Sequence, residues 1–229
     1  MIWPRHDRKV ILNIMTSIHQ GQPVLSAGTR LEDAKAALIM IHGRGASAQH
    51  ILALGQELEM TDYVAVAPQA ANNTWYPYSF LEPVAKNEPY LSSALEQVGA
   101  VVETVVEAGI PREKIILLGF SQGACLTLEF TARNPNRYGG VVALSGGLIG
   151  NGDSLRDYSG TLENTPVFIG CSDVDFHIPV SRVHDSAEKL SLLNADVEKR
   201  IYPNMGHTIN DDEIAYIRTL MAQVKNLDA

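Results

Sequence analysis

Ile115-Ile116-Leu117-Leu118-Gly119-Phe120-Ser121-Gln122-Gly123-Ala124-Cys125-Leu126-Thr127-Leu128 holds two structural periods joined at a serine. The first half is an unbroken apolar run, which suits a strand covered on both faces and therefore a parallel sheet. The second half places Ala124, Leu126, Leu128 and Phe130 in a pattern that reads as a helix over 122–133, broken by Asn134-Pro135. Glycines two positions either side of Ser121 let the backbone turn tightly between the two elements. A serine on such a strand–turn–helix corner is held in a strained conformation with its hydroxyl exposed above the sheet. A bare GxSxG is weak evidence; with this strand before it and this helix after it, Ser121 is a candidate nucleophile.

Outward from this corner the same alternation repeats. Apolar runs at 36–41, 63–67, 141–144 and 166–170 stop respectively at His42-Gly43, Pro68, Ser145-Gly146-Gly147 and Cys171-Ser172-Asp173. Helical spacing recurs over 91–108, 180–193 and 214–224, and 197–202 reads as one more strand. Strands alternating with helices predict right-handed βαβ units and one α/β sheet. No repeat and no linker divides the 229 residues, so a single domain over 1–229 is expected, with 1–30 as an N-terminal extension or edge strands. Residues 70–89 hold three prolines, paired asparagines and Trp75-Tyr76, the composition of a long loop, and long loops in compact domains tend to carry function.

Composition removes several classes. Hydrophobic residues are 45% of the chain and the mean hydropathy is -0.02, which excludes intrinsic disorder. Eighteen basic against 26 acidic side chains give a formal charge of -8. Such a chain repels phosphate backbones and anionic membranes, so neither nucleic-acid binding nor stable membrane association is expected. The apolar run Val10-Ile11-Leu12 falls far short of the ~20 residues of a membrane span. Two cysteines, Cys125 and Cys171, without CxxC spacing, read as buried reduced thiols in a cytoplasmic protein.

A serine hydroxyl needs a base, and the base needs an orienting carboxylate. Of the seven histidines, His207 lies in a loop between the strand at 197–202 and the last helix, downstream of the serine and of two aspartates, in the chain order this arrangement uses. His6 and His19 in the N-terminal stretch, and His50 and His184 on helices, read as surface residues. Asp173 and Asp175 both lie beyond the strand ending at Gly170, where ligands gather; position alone leaves either as the partner of His207. The alternation Asp173, Asp175, His177 lacks an HExxH and its donors diverge on an extended segment, so no metal is expected. His42-Gly43-Arg44-Gly45 ends the first apolar strand about 80 residues before the serine corner. A glycine-rich turn there aims a backbone N–H towards the serine, and Gln122 supplies a second donor for an oxyanion.

These segments, His42-Gly43-Arg44-Gly45, Trp75-Tyr76, Gly119-Phe120-Ser121-Gln122-Gly123, Asp175-x-x-Ile178-Pro179 and Gly206-His207, resemble the phospholipase/carboxylesterase family of α/β-hydrolases over about residues 35 to 225. The resemblance implies a single-domain α/β-hydrolase fold, a mostly parallel sheet flanked by helices without a large lid. It implies Ser121 as nucleophile, His207 as general base and acid, Asp175 as the orienting carboxylate, and the N–H groups of Arg44 and Gln122 as the oxyanion hole. Asp175 is chosen because the family's carboxylate sits four residues before the proline; Asp173 then braces the turn. Where the family commonly carries HGLGD, this chain has HGRGAS, closer to a bacterial branch. Trp75 and Tyr76, in an aromatic loop, are expected to wall an acyl pocket. The expected activity is hydrolysis of short- to medium-chain carboxylic esters without a cofactor, with acyl-thioesterase or lysophospholipase as the alternative and a non-catalytic ligand-binding homologue as the remote one. Expected partners are a small-molecule ester and, at most, a second copy of the chain.

Overall fold

The computed structural model describes residues 18–151 and 155–227. His6 and the 10–12 run lie outside the described residues. Seven strands form one sheet: β1 Val24–Gly28, β2 Ala36–Ile41, β3 Tyr63–Pro68, β4 Ile115–Phe120, β5 Gly140–Leu144, β6 Pro166–Ser172 and β7 Asp196–Tyr202. Their order across the sheet is β1-β3-β2-β4-β5-β6-β7. All neighbours run parallel except β1, which lies antiparallel along β3. The helices are α1 Ala48–Ala53, α2 Val84–Asn87, α3 Tyr90–Glu107, α4 Gln122–Arg133, α5 Val180–Leu192 and α6 Asp211–Lys225. This is a single-domain α/β fold of the expected kind.

The unbroken apolar runs follow from burial on both faces. Ile39, Ile41, Ile115, Leu117, Val141, Ala143 and Ile169 point to one side, where α3, α4 and α5 pack. Their neighbours Leu38, Met40, Ile116, Leu118, Val142 and Phe168 point to the other, covered by α1 and α6. Each face then removes apolar side chains from water, at about 25 cal/mol per Å². The edge strands differ. β1 is exposed along its length, so its sequence carries no apolar signal, and β7 has only half-buried and exposed positions. β1 lies within the stretch expected to hold an extension or edge strands. The last helix begins three residues earlier than its apolar pattern, because Asn210 and Glu213 form a reciprocal capping box. No helix among the described residues is long and apolar enough to cross a membrane.

Strand order puts β4 at the centre of the sheet. The turns leaving β2, β4, β6 and β7 at their carboxyl ends therefore converge on one edge.

Candidate active site

Ser121 leaves β4 with φ 56° and ψ -120°, a sparsely populated conformation costing about 1–3 kcal/mol. It is held there by its own N–H donating to Leu144 O and its carbonyl accepting from Cys125 N, at 2.9 and 3.0 Å. The glycines of the corner are required by close approach. A Cβ on Gly119 would meet Gly123 O at 2.3 Å, and one on Gly123 would meet Ile41 O at 2.1 Å.

Beside the corner, His207 Nε2 lies 2.9 Å from Ser121 Oγ, and His207 Nδ1 lies 2.7 Å from Asp175 Oδ2. The other oxygen of Asp175 accepts from His177 N (2.8 Å) and Ile178 N (3.2 Å), so the carboxylate is held by its own turn. Asp173 is elsewhere: its Oδ1 accepts from Asn204 N at 2.7 Å. With Ser172 Oγ accepting from Gly206 N at 3.1 Å, it stitches the turn after β6 to the turn carrying His207. Position along the chain left both aspartates open; the structure brings Asp175 to His207 and gives Asp173 the bracing contact. The imidazole of His207 is further packed between Phe120 and His177, with ring centroids 5.1 and 4.9 Å away.

The turn after β2 places Arg44 against the serine corner. Gly45 N donates to Asn73 O and Ala46 N to Gly43 O, whereas the N–H groups of Arg44 and Gln122 meet no acceptor among the described residues. Both residues line the same cleft as Ser121 and His207. Two unpaired amides beside a hydroxyl–imidazole–carboxylate relay are what an oxyanion requires. The cleft has a volume of about 560 Å³, and its apolar walls are Tyr76, Phe80, Phe120, Cys125 and Ile178.

Two expectations need correction. Trp75 does not line the cleft. It is fully buried and its indole Nε1 donates to His42 O at 2.9 Å, because an indole N–H in a core must find an acceptor. Tyr76, the next residue, does form the wall. His19 is not a surface residue but is fully buried. Its Nδ1 accepts from Ala71 N (3.0 Å) and its Nε2 donates to Trp75 O (2.9 Å). Burial pushes its pKa down, so it is a neutral bridge, an outcome that the loose patterning of the N-terminal segment concealed. His50 and His184 are exposed, as expected.

Three supporting residues had no reading of this kind in the sequence. The side chain of Gln122, whose backbone N–H beside Ser121 is unpaired among the described residues, accepts from Trp75 N (2.9 Å) and donates to Tyr76 O (2.8 Å). It clamps the aromatic loop to α4. His42 accepts from Ala70 N through Nε2 (3.1 Å), so its Nδ1–H donates to Gly43 O (2.8 Å); burial lowers its pKa as well. Arg44 donates to Pro77 O (2.8 Å) and Tyr78 O (2.7 Å). Only the polar character of these residues beside a glycine turn signalled them, and polarity does not name a partner.

The same arrangement of chain is found in known proteins. The crystal structure of a phospholipase/carboxylesterase from Dyadobacter fermentans superposes with a TM-score of 0.85 at 46% identity, over 88% of this chain and 97% of that one. Acyl-protein thioesterase 1 of Kluyveromyces lactis is 30% identical over 207 residues, 81% of this chain and 90% of the relative. A probable carboxylesterase of Arabidopsis thaliana, SOBER1-like, is 26% identical over 71% of this chain and 61% of its own length. The family model described as Phospholipase/Carboxylesterase matches residues 29–225. With its fold and residues 29–225 accounted for in this way, the chain belongs to the phospholipase/carboxylesterase family of α/β-hydrolases.

Proposed function

We propose that the protein is a serine carboxylesterase acting on short- to medium-chain carboxylic esters through an acyl-enzyme. The observation that carries this reading is the relay from Ser121 Oγ through His207 to Asp175, at 2.9 and 2.7 Å. Ser121 Oγ attacks the ester carbonyl while its proton passes to His207 Nε2. The carbonyl oxygen becomes an oxyanion, met by the N–H groups of Arg44 and Gln122, each worth about 10²–10³ in rate. Collapse breaks the ester C–O bond, and the alcohol leaves with the proton from His207. Water, deprotonated by His207, then attacks the acyl carbon and restores Ser121. Asp175 holds the imidazole in the tautomer with its proton on Nδ1.

The apolar walls support a modest acyl chain. Each buried methylene contributes about 0.8 kcal/mol, so rates rise over the first few carbons and fall once the cleft is full. The unpaired, buried Cys125 and Cys171 support a reducing, cytoplasmic location.

The test is labelling with a fluorophosphonate. The adduct is expected on Ser121 and absent from Ser121→Ala, whose kcat should fall by about 10⁶. Ester hydrolysis by Ser121→Ala within tenfold of wild type overturns the reading. Thioester hydrolysis is the second reading, favoured by the acyl-protein thioesterase relative. Rates on an ester and a thioester of one acyl chain separate the two.

A further inference from the structure

We propose that the cleft selects small esters that carry a carboxylate, with the Arg44 guanidinium as the specificity-determining group. The inference rests on the hydrolase reading above and names the substrate class of that site. The cleft has Arg44 as its one permanent charge, and no Asp or Glu among its described lining residues. Arg44 spends two of its five N–H donors on the carbonyls of Pro77 and Tyr78. Its guanidinium carbon lies 5.9 Å from the centre of the Tyr76 ring. It makes no ion pair among the described residues. The acids nearest the cleft are committed elsewhere: Asp175 to His207, Asp173 to Asn204 N, Glu82 to Lys86, and Glu129, whose charge reaches Tyr76, to Arg133.

On the far side of Ser121 the cleft is lined by His177, whose exposed imidazole lies against His207. β2 neighbours β4 on one side and β6 lies beyond β5 on the other, so the turns bearing Arg44 and His177 approach the serine from opposite sides. Both halves of a bound ester therefore pass a nitrogen donor. A purely apolar substrate would strip water from these donors and give nothing back. A carboxylate gives a charge-assisted hydrogen bond instead. The chain as a whole carries -8, so an anionic substrate is drawn in by this local cation against the protein's net charge.

The experiment compares kcat/KM for esters matched in shape, by proton release at constant pH. Monoethyl glutarate against ethyl pentanoate places the charge on the acyl half. 4-(Acetoxymethyl)benzoate against 4-methylbenzyl acetate places it on the alcohol half. The anionic member is expected to be preferred about tenfold in at least one pair, the size of one partly solvated charge interaction, and the preference should shrink in 0.5 M salt. Arg44→Gln should abolish it, whereas Arg44→Lys, which keeps the charge but not the two-carbonyl fork, should retain most of it. Equal or poorer use of the anionic member in both pairs overturns the inference, as does an unchanged ratio in Arg44→Gln. Should Arg44→Gln fail to fold, the salt dependence of the wild-type ratio decides, and a ratio indifferent to salt counts against the inference. If neither member of any pair is turned over and fluorophosphonate does not label Ser121, the hydrolase reading falls and takes this inference with it. Labelling with turnover of neutral esters alone removes only the inference.

Discussion

At Asp175 both carboxylate oxygens are engaged, one by His207 Nδ1 and one by two backbone amides of its own turn. Asp175→Asn keeps that shape but presents an amide where the imidazole needs an acceptor, turning His207 to the wrong tautomer. The expected loss is about 10⁴ in kcat with little change in folding. Asp173→Asn removes one exposed charge-assisted bond to Asn204 N; the amide oxygen replaces it, so activity within threefold and a stability change of at most about 1 kcal/mol are expected. Steady-state kinetics and urea unfolding of both variants check the ranking, and the reverse order would reassign the carboxylate. Gln122 has a comparable residue-scale test. Its backbone N–H survives truncation, but Gln122→Ala leaves Trp75 N and Tyr76 O unpaired in a buried place. A cost of about 3 kcal/mol in urea unfolding is expected, together with a raised KM as the Tyr76 wall loosens.

Among the elements, the contact of α4 with β2 sets how closely the turn carrying Arg44 approaches the serine corner. Gly123 lies so close to Ile41 that a methyl group has no room: its Cβ would stand 2.1 Å from the carbonyl oxygen and 2.6 Å from the carbonyl carbon. Gly123→Ala must push the helix off the strand, separating Gln122 from the turn that carries Arg44. A loss of at least about 3 kcal/mol is expected, with activity falling further than stability. Gly99 in α3 supplies the contrast, since a Cβ there meets only the ring of Phe130 at an ordinary 3.5 Å. Gly99→Ala should raise stability by up to about 1 kcal/mol, the helix propensity difference. Thermal melts of the pair test this; equal effects would mean that the close approach at Gly123 does not matter. A second element-scale tie is Glu129 of α4, fully buried. It accepts from Arg133 (2.6 Å), Ile149 N (3.1 Å) and Tyr158 (2.8 Å), and so fastens the segment after β5 to the helix that Ser121 begins.

For the molecule as a whole, pH acts on stability through Glu213. Its side chain is fully buried; Oε2 accepts from Asn210 N at 2.9 Å and Oε1 has no partner among the described residues. Burial raises its pKa from 4.5 to about 7. An acid with a raised folded pKa holds its proton in the native state after the unfolded chain has released it. Stability contributed by this group is therefore present below about pH 4.5 and is lost as pH rises to about 7. The shift corresponds to about 3 kcal/mol between pH 4 and pH 8. Unfolding free energies of wild type and Glu213→Gln across that range should diverge by this amount, with the glutamine variant gaining relative stability at the alkaline end. Parallel curves would show that the carboxyl does not titrate in this window.

The sequence alone determined the parallel centre of the sheet and the serine corner, because both rest on local rules. A strand buried on two faces must be apolar at every position, and a corner where an added Cβ would stand 2.1–2.3 Å from neighbouring backbone must be glycine on either side of the serine. The capping of α6 by Asn210 and Glu213 was equally local, yet apolar spacing alone placed the helix start three residues late. For residues 1–30 the sequence left an extension or edge strands open, because an exposed edge strand obeys no apolar pattern; β1 is recognised only by pairing with β3. Between Asp173 and Asp175 position along the chain decided nothing and the family resemblance pointed to Asp175; the contact itself belongs to the tertiary structure, since the two differ in the direction of a side chain relative to the loop that carries His207. The same holds for His19, Trp75, His42 and Gln122. Each carries a polar group that folding buries, and a buried polar group takes whichever partner the packed chain brings within 3 Å, which no spacing along the sequence specifies.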